Sequence, residues 1–196
     1  MEKEKGAEGI LTGYRVLDLT DEKGVYCGKV LGDYGADVIK IEPPGGDAAR
    51  DKRPFYKGNP DRQKSLFWFY MNTSKRGITL NLETADGREL FKKLVRSAHF
   101  VIESFTPGTM SRLGLSYPDL EKINPGLVMT SITPYGQKGP YARYKATDIH
   151  MAAMGGSCGA MARRTGPPRA SATRTCFFTR GFRAPWDRWS HIITGN

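Results

Sequence analysis

The residues that could do chemistry in this 196-residue chain are a scattered set of cations, one well-placed aromatic and a few acids. Lys75 and Arg76 stand just before a β-type run, and Arg112 lies in a short helical stretch after an apolar strand that ends near Phe105. Lys145 sits in a loop ahead of a helical stretch that opens at Asp148. Cations in such places suit an anionic ligand, because an open α/β sheet binds ligands outside the carboxyl ends of its strands. Taken singly, each is equally a solvated surface charge. Asp148 is as well placed to cap a helix as to act as an acid, and His150, two residues on, reads as a helix surface or core residue. Cys27 falls inside a helical stretch, where a small buried residue is expected rather than a nucleophile. Cys27, Cys158 and Cys176 have neither metal spacing nor a disulfide framework, which points to a cytoplasmic protein. The G-x-G-x-x-G fingerprint is absent, so nothing supports NAD binding.

The elements that must position these residues centre on 24–47, GVYCGKVLGDYGADVIKIEPPGGD. Residues 14–20 before it form a short β-type run with apolar Val16, Leu17 and Leu19. A helix is expected over 25–34, burying Val30, Leu31 and Tyr34. Gly28 and Gly32 would let it lie close to a sheet, and Gly35 would end it in the left-handed region. Val38, Ile39 and Ile41 then give a second strand parallel to the first, a βαβ unit. Residues 43–65, rich in Pro, Gly and charge, read as a long functional or disordered loop. A short apolar helix or turn follows at 65–71, then a strand over 77–82 and a helix over 85–97. That helix is capped by Thr84 and carries Leu90, Phe91, Leu94 and Val95 on one face. Strands at 100–102 and 127–132, short helices after Pro107 and at 117–123, and a Gly/Pro-containing loop at 135–145 complete the pattern. The fold class is therefore α/β, Rossmann-like, with a mostly parallel sheet, helices on both faces, and 15–19, 37–42 and 99–103 as neighbouring strands.

The net charge of +10 divides unevenly. Residues 157–196 hold seven Arg, no Lys and one acid, a net +6, whereas 1–156 hold 23 basic and 19 acidic residues, a net +4. A basic chain invites a nucleic-acid partner, but the excess is local and no nucleic-acid motif accompanies it, so none is expected. No apolar run reaches the ~20 residues of a membrane span, and no membrane partner is expected. The expected organisation is a mobile polar leader at 1–12, an α/β domain at 13–156 and an irregular tail at 157–196.

Several blocks resemble the family III coenzyme A transferases, the group that includes formyl-CoA transferase, carnitine CoA-transferase and α-methylacyl-CoA racemase. They are YCGKVLGDYGADVIKIEPPGGD, NTSKRGITLNLETADGRELFKKLV, VIESFTPGTMSRLGL and INPGLVMTSITPYGQKGPYARYKATDIHMAAMGG, in family order across residues 13–156. The resemblance implies coenzyme A as substrate, no metal, acyl-CoA and carboxylic acid partners, and a homodimer for the full-length family. It also implies that Asn72, Lys75, Ser104, Phe105, Arg112 and Lys145 contact coenzyme A, with Phe105 available to stack on adenine. Pro43 replaces an adenine-stacking Arg, so that contact is lost, and the Ser104 position is often Asn. The racemase branch has a proton-moving His where this chain has Thr147, which disfavours racemisation. The transferases attack with an Asp some 30 residues beyond the Asp148 position, yet no acidic residue occurs between Ile149 and Trp186. The implied function is transfer of coenzyme A between an acyl-CoA and a carboxylic acid. The alternative is a coenzyme A-binding or non-functional fragment without turnover.

The composition of 157–196 points to translation in a shifted reading frame. Arg without Lys among Ala, Pro, Thr and Trp is what GC-rich DNA yields out of frame. Codons for RASATRTCFFTRG can be chosen so that, two nucleotides later, they spell RISYPHVLLHAG, which resembles a continuation of the family. Residues 157–196 are accordingly expected to pack poorly, with Trp186 and Trp189 unburied.

Overall fold

A computed structural model describes residues 9–155. The expectations for 157–196, including those for Trp186 and Trp189, lie outside the described residues. Five strands form one parallel sheet in the order β3-β2-β1-β4-β5. They are β1 (Arg15–Leu19), β2 (Asp37–Glu42), β3 (Lys75–Thr79), β4 (Phe100–Glu103) and β5 (Val128–Ser131). In register, Leu17 stands beside Ile39 and Val101, and Leu19 beside Glu103. The three strands expected as parallel neighbours are so.

Strand alternation sends side chains to two layers. Val16, Val38, Phe100 and Ile102 pack with Cys27 and Leu31 of α1 (Val25–Asp33). Leu17, Leu19, Ile39, Ile41 and Val101 pack on the opposite face. There they meet Phe91 and Val95 of α3 (Ala85–Val95), Met110 of α4 (Thr109–Arg112) and Leu120 of α5 (Tyr117–Glu121). Helices thus cover both faces. α2 (Leu66–Asn72) packs against α1 and buries Trp68 and Met71, and α6 (Asp148–Met154) buries Met151 and Ala152.

Local chemistry sets the element ends. Thr84 caps α3 by accepting the Gly87 N–H at 3.1 Å. Gly35, at φ +98, turns the chain from α1 into β2. Gly28 is required for a different reason: a Cβ there would stand 2.3 Å from Asp18 Oδ2, so only Gly lets α1 lie this close to β1. The 43–65 loop is organised by three 3-10 turns, at Ala48–Asp51, Tyr56–Gly58 and Arg62–Lys64.

Several details differ from expectation. Tyr34 and Leu90 are about half exposed, because α1 stops one residue short of Tyr34 and α3 turns Phe91 and Val95, not Leu90, to the sheet. Thr147 rather than Asp148 caps α6, in a box with His150, whose Nδ1 lies 2.8 Å from Thr147 Oγ1. Within the expected leader, residues 9–12 are tied to the body: Leu11 N–H donates to Tyr34 O at 2.9 Å. The third strand covers Lys75–Thr79 rather than 77–82, because it pairs with β2 from Val38 to Glu42.

Candidate functional site

The chain lays β2 and β3 on one side of β1, then returns to lay β4 on the other. The loops leaving β1 and β4 diverge there, which opens a crevice at the carboxyl edge of the sheet. A cavity of about 310 Å³ lies against this edge. Its floor is apolar, built from Leu19, Ile41, Leu80, Leu82, Phe105 and Leu113, while Thr20, Asp21, Asn81 and Glu83 supply polar groups. Pro43, Asp47 and Ala48 bring the long loop to the same wall. Such a space receives a flat apolar group while leaving its polar edge to the rim.

Phe105 and Arg112 come together here. Phe105 lines the cavity, and Arg112 lies at its edge, its guanidinium donating to both oxygens of the rim residue Glu83 at 2.7 and 2.9 Å. Both side chains of that pair are about 60% exposed, at 59% and 62%. Hydrogen bonding from Arg112 holds the Glu83 carboxyl below the usual range and raises Arg112 in turn. A ligand phosphate would have to share or displace Glu83 to reach this guanidinium.

Ser104 is buried beside the crevice and faces β1. It accepts the Asp21 N–H and donates to Asp21 Oδ1, both at 2.8 Å. Lys145 is exposed in the loop before α6. Asn72 ends α2, with Nδ2 donating to Trp68 O at 3.1 Å and a buried Oδ1 that has no hydrogen-bond partner among the described residues.

Lys75 is placed differently from the solvent-facing cation that the sequence suggested. Its side chain is 1% exposed, and the ammonium lies under α1, donating to Asp18 Oδ2 and to Val25 O, each at 2.8 Å. Gly28 leaves the room that makes this possible. Burial pushes the Lys75 ammonium down, against the pull of Asp18. In this arrangement the charge is matched inside the protein by Asp18 and the Val25 carbonyl.

Sequence reasoning missed the charge system around Lys75. Lys40, 2% exposed, lies 3.8 Å from Asp18 Oδ1 and 3.2 Å from Asp47 Oδ2, and also donates to Thr20 O. Burial alone would raise Asp18, but Lys75 and Lys40 together hold it below the usual carboxylate range. Glu42 receives Arg50 in a two-pronged pair at 2.7 and 2.8 Å, and the guanidinium stacks 4.1 Å from the Trp68 ring. These bonds fasten the 43–65 loop to the sheet. The available signal was the period-two pattern, which puts Asp18 and Lys40 on the same sheet face as Val16 and Val38. Glu103 was missed as well. It is buried at the end of β4, where desolvation pushes its carboxyl up. Burial also raises the Cys27 thiol, so the expectation of a small buried residue there stands. Among the described residues, no group of three or more His, Cys, Asp or Glu could hold a metal ion, and no helix is long and apolar enough to cross a membrane.

This architecture matches known proteins closely. The model of CoA-transferase family III matches residues 11–186. The chain belongs to CoA-transferase family III. The match continues past Gly156 into the basic tail. Among curated relatives, the succinyl-CoA:(R)-benzylsuccinate CoA-transferase subunit BbsE of Thauera aromatica is 43% identical over 143 residues, which is 73% of this chain and 35% of that protein. The acetyl-CoA:oxalate CoA-transferase of Acetobacter aceti is 42% identical over 163 residues, 82% of this chain and 41% of its own length. A solved CAIB/BAIF family protein from Brucella suis superposes with a TM-score of 0.87 at 33% identity, covering 95% of this chain and 50% of that one. The chain therefore spans roughly two-fifths of these curated relatives and half of this solved structure.

Proposed function

We propose that this chain supplies the coenzyme A-binding half of a transferase that moves coenzyme A between an acyl-CoA and a carboxylic acid. The observation that carries the reading is the crevice at the β1/β4 switch point, with Phe105 on its wall and Arg112 at its rim, in a chain of this family. Phe105 and the aliphatic floor receive the adenine. Arg112 and Lys145 meet the phosphates as charge-assisted donors, Ser104 fixes the β1 loop beside them, and Asn72 contributes from the end of α2. Pro43 at the wall offers no guanidinium to stack, so Phe105 carries the base. Lys75 supports the site from beneath α1 instead of contacting ligand.

In the transfer, a carboxylate attacks the thioester carbonyl, breaks the C–S bond and releases coenzyme A thiolate, leaving an acyl anhydride on the enzyme. The thiolate then adds to the enzyme's own carbonyl and expels the first acid, and the second acid takes up coenzyme A by the reverse steps. No acidic residue lies between Ile149 and Trp186, where the family resemblance sets the nucleophile. The reading for this sequence is accordingly binding without turnover. Thr147, in place of a proton-moving His, argues against racemisation.

Thermal denaturation with and without coenzyme A tests the binding. A ligand specific for the folded chain raises its midpoint with concentration. No shift at millimolar coenzyme A would remove the reading. Turnover of succinyl-CoA with a carboxylic acid by this chain would overturn the binding-only assignment.

A further inference from the structure

Glu103 occupies a position that the core does not need it to occupy. In register it stands beside Leu19 and Ser131, on the sheet face otherwise built from Leu17, Leu19, Ile39, Ile41 and Val101. Its side chain is buried, and burial pushes its carboxyl up, with Asp21 adding to the rise. An apolar residue would fill this place without burying a charge. What Glu103 gains instead is a set of donors from three separate segments. Phe105 N–H donates to Oε2 at 2.7 Å, the Ser131 hydroxyl donates from the end of β5, and Gln137 Nε2 lies 3.4 Å from Oε1. Gln137 belongs to the loop that runs on to Lys145. The neighbouring Ser104 turns the other way and ties β4 to the loop after β1. One carboxylate therefore links the aromatic wall of the crevice to the loop that runs on to Lys145.

We propose that Glu103 is the positioning residue of the crevice, holding Phe105 and the 134–145 loop in the arrangement that receives the adenine end of coenzyme A. The role in ligand binding rests on the reading under Proposed function; the anchoring of Phe105 does not. Glu103 touches no ligand. It acts through the Phe105 amide, which fixes where the ring stands, and through Gln137 in the loop that runs on to Lys145. Glu103→Gln probes this without a change of volume. An amide keeps one accepting oxygen and has a donor in place of the other, so even with that oxygen on Phe105 N–H the bond loses its charge assistance.

The experiment is residue-resolved hydrogen exchange on the full chain, paired with coenzyme A binding and thermal denaturation, for wild type and Glu103→Gln. The expected result is Phe105 amide exchange faster by about tenfold, with the midpoint of global unfolding within a few degrees of wild type. Coenzyme A affinity should fall by about tenfold. A merely structural glutamate would not separate local exchange and affinity from global stability in this way. Unchanged Phe105 exchange overturns the proposal, as does faster exchange with affinity held within about twofold. If wild type does not bind coenzyme A, the functional reading fails by itself, and Phe105 exchange still decides whether Glu103 anchors the wall. Should Glu103→Gln not fold, the double variant Ser131→Ala, Gln137→Ala removes two donors from exposed positions. Faster exchange across 134–145 is then expected, and wild-type exchange there overturns the proposal.

Discussion

Two cation–carboxylate pairs, one buried and one exposed, show what decides whether a charge is open to a new partner. Lys75 and Asp18 are 1% and 0% exposed, share their surroundings with Lys40, and are closed over by α1. Arg112 and Glu83 are about 60% exposed and meet at the edge of the crevice. Residue type does not distinguish the two cations. Burial and saturation do. The Lys75 ammonium has a carboxylate and a backbone carbonyl as fixed partners, and withdrawing it would leave Asp18 short of a counter-charge inside the protein. Arg112 can exchange Glu83 for a ligand phosphate while water screens both. The first pair holds the fold, and the second, on the function proposed above, is a replaceable contact.

The sharpest way to break that contrast is to remove one partner of each. Lys75→Met leaves Asp18 buried with Lys40 as its remaining ion-pair partner, and should cost about 3–5 kcal/mol of folding stability in urea titration. Loss of less than ~1 kcal/mol would show that Lys75 is not a structural cation. Gly28→Ala attacks the same region through packing. The new methyl would stand 2.3 Å from Asp18 Oδ2, whose neighbours leave it nowhere to go, so α1 must shift. The expected cost is about 1–3 kcal/mol, and a neutral result would mean that α1 floats over the sheet. Arg112→Ala should leave the unfolding midpoint unchanged and weaken coenzyme A about tenfold. Glu83→Gln, which frees the guanidinium, should tighten it by about twofold to threefold. If both leave affinity unaltered, the exposed pair plays no part in binding.

The contrast also marks what the sequence could disclose. The parallel neighbours β1, β2 and β4 followed from apolar runs separated by helical stretches. The close approach of α1 was legible in Gly28 and Gly32, four residues apart. The fate of Lys75 was not, because it depends on residues 18, 28 and 75 meeting in space. Its place just before a strand looked identical to that of a solvent-facing cation. Glu83 and Arg112 are likewise 29 residues apart, with no local pattern joining them. Tyr34 and Leu90 failed for a simpler reason: helical spacing gives the direction of a face, but one residue at its edge falls either way.

The smallest expected effect concerns the buried carboxylates, and it separates the crevice from the charge cluster by sign. Asp18 has a folded pKa below its ordinary value of 3.8. Its stabilising contribution is therefore complete above 3.8 and is lost as pH falls through the lower folded value. Glu103 has a folded pKa above its ordinary 4.5. The folded state then holds its proton more tightly than the unfolded chain does, so the cost of burying the ionised group is fully present above the raised value. Acidification relieves that cost as pH falls through the raised value toward 4.5. Glutamine has no proton to gain. Urea unfolding of wild type and Glu103→Gln should accordingly show wild type gaining stability relative to the variant between neutrality and pH 4.5, then both declining together below pH 3.8 as Asp18 protonates. Parallel curves from neutrality to pH 4.5 would mean that the donors to Glu103, Phe105 N–H among them, offset the cost of its burial.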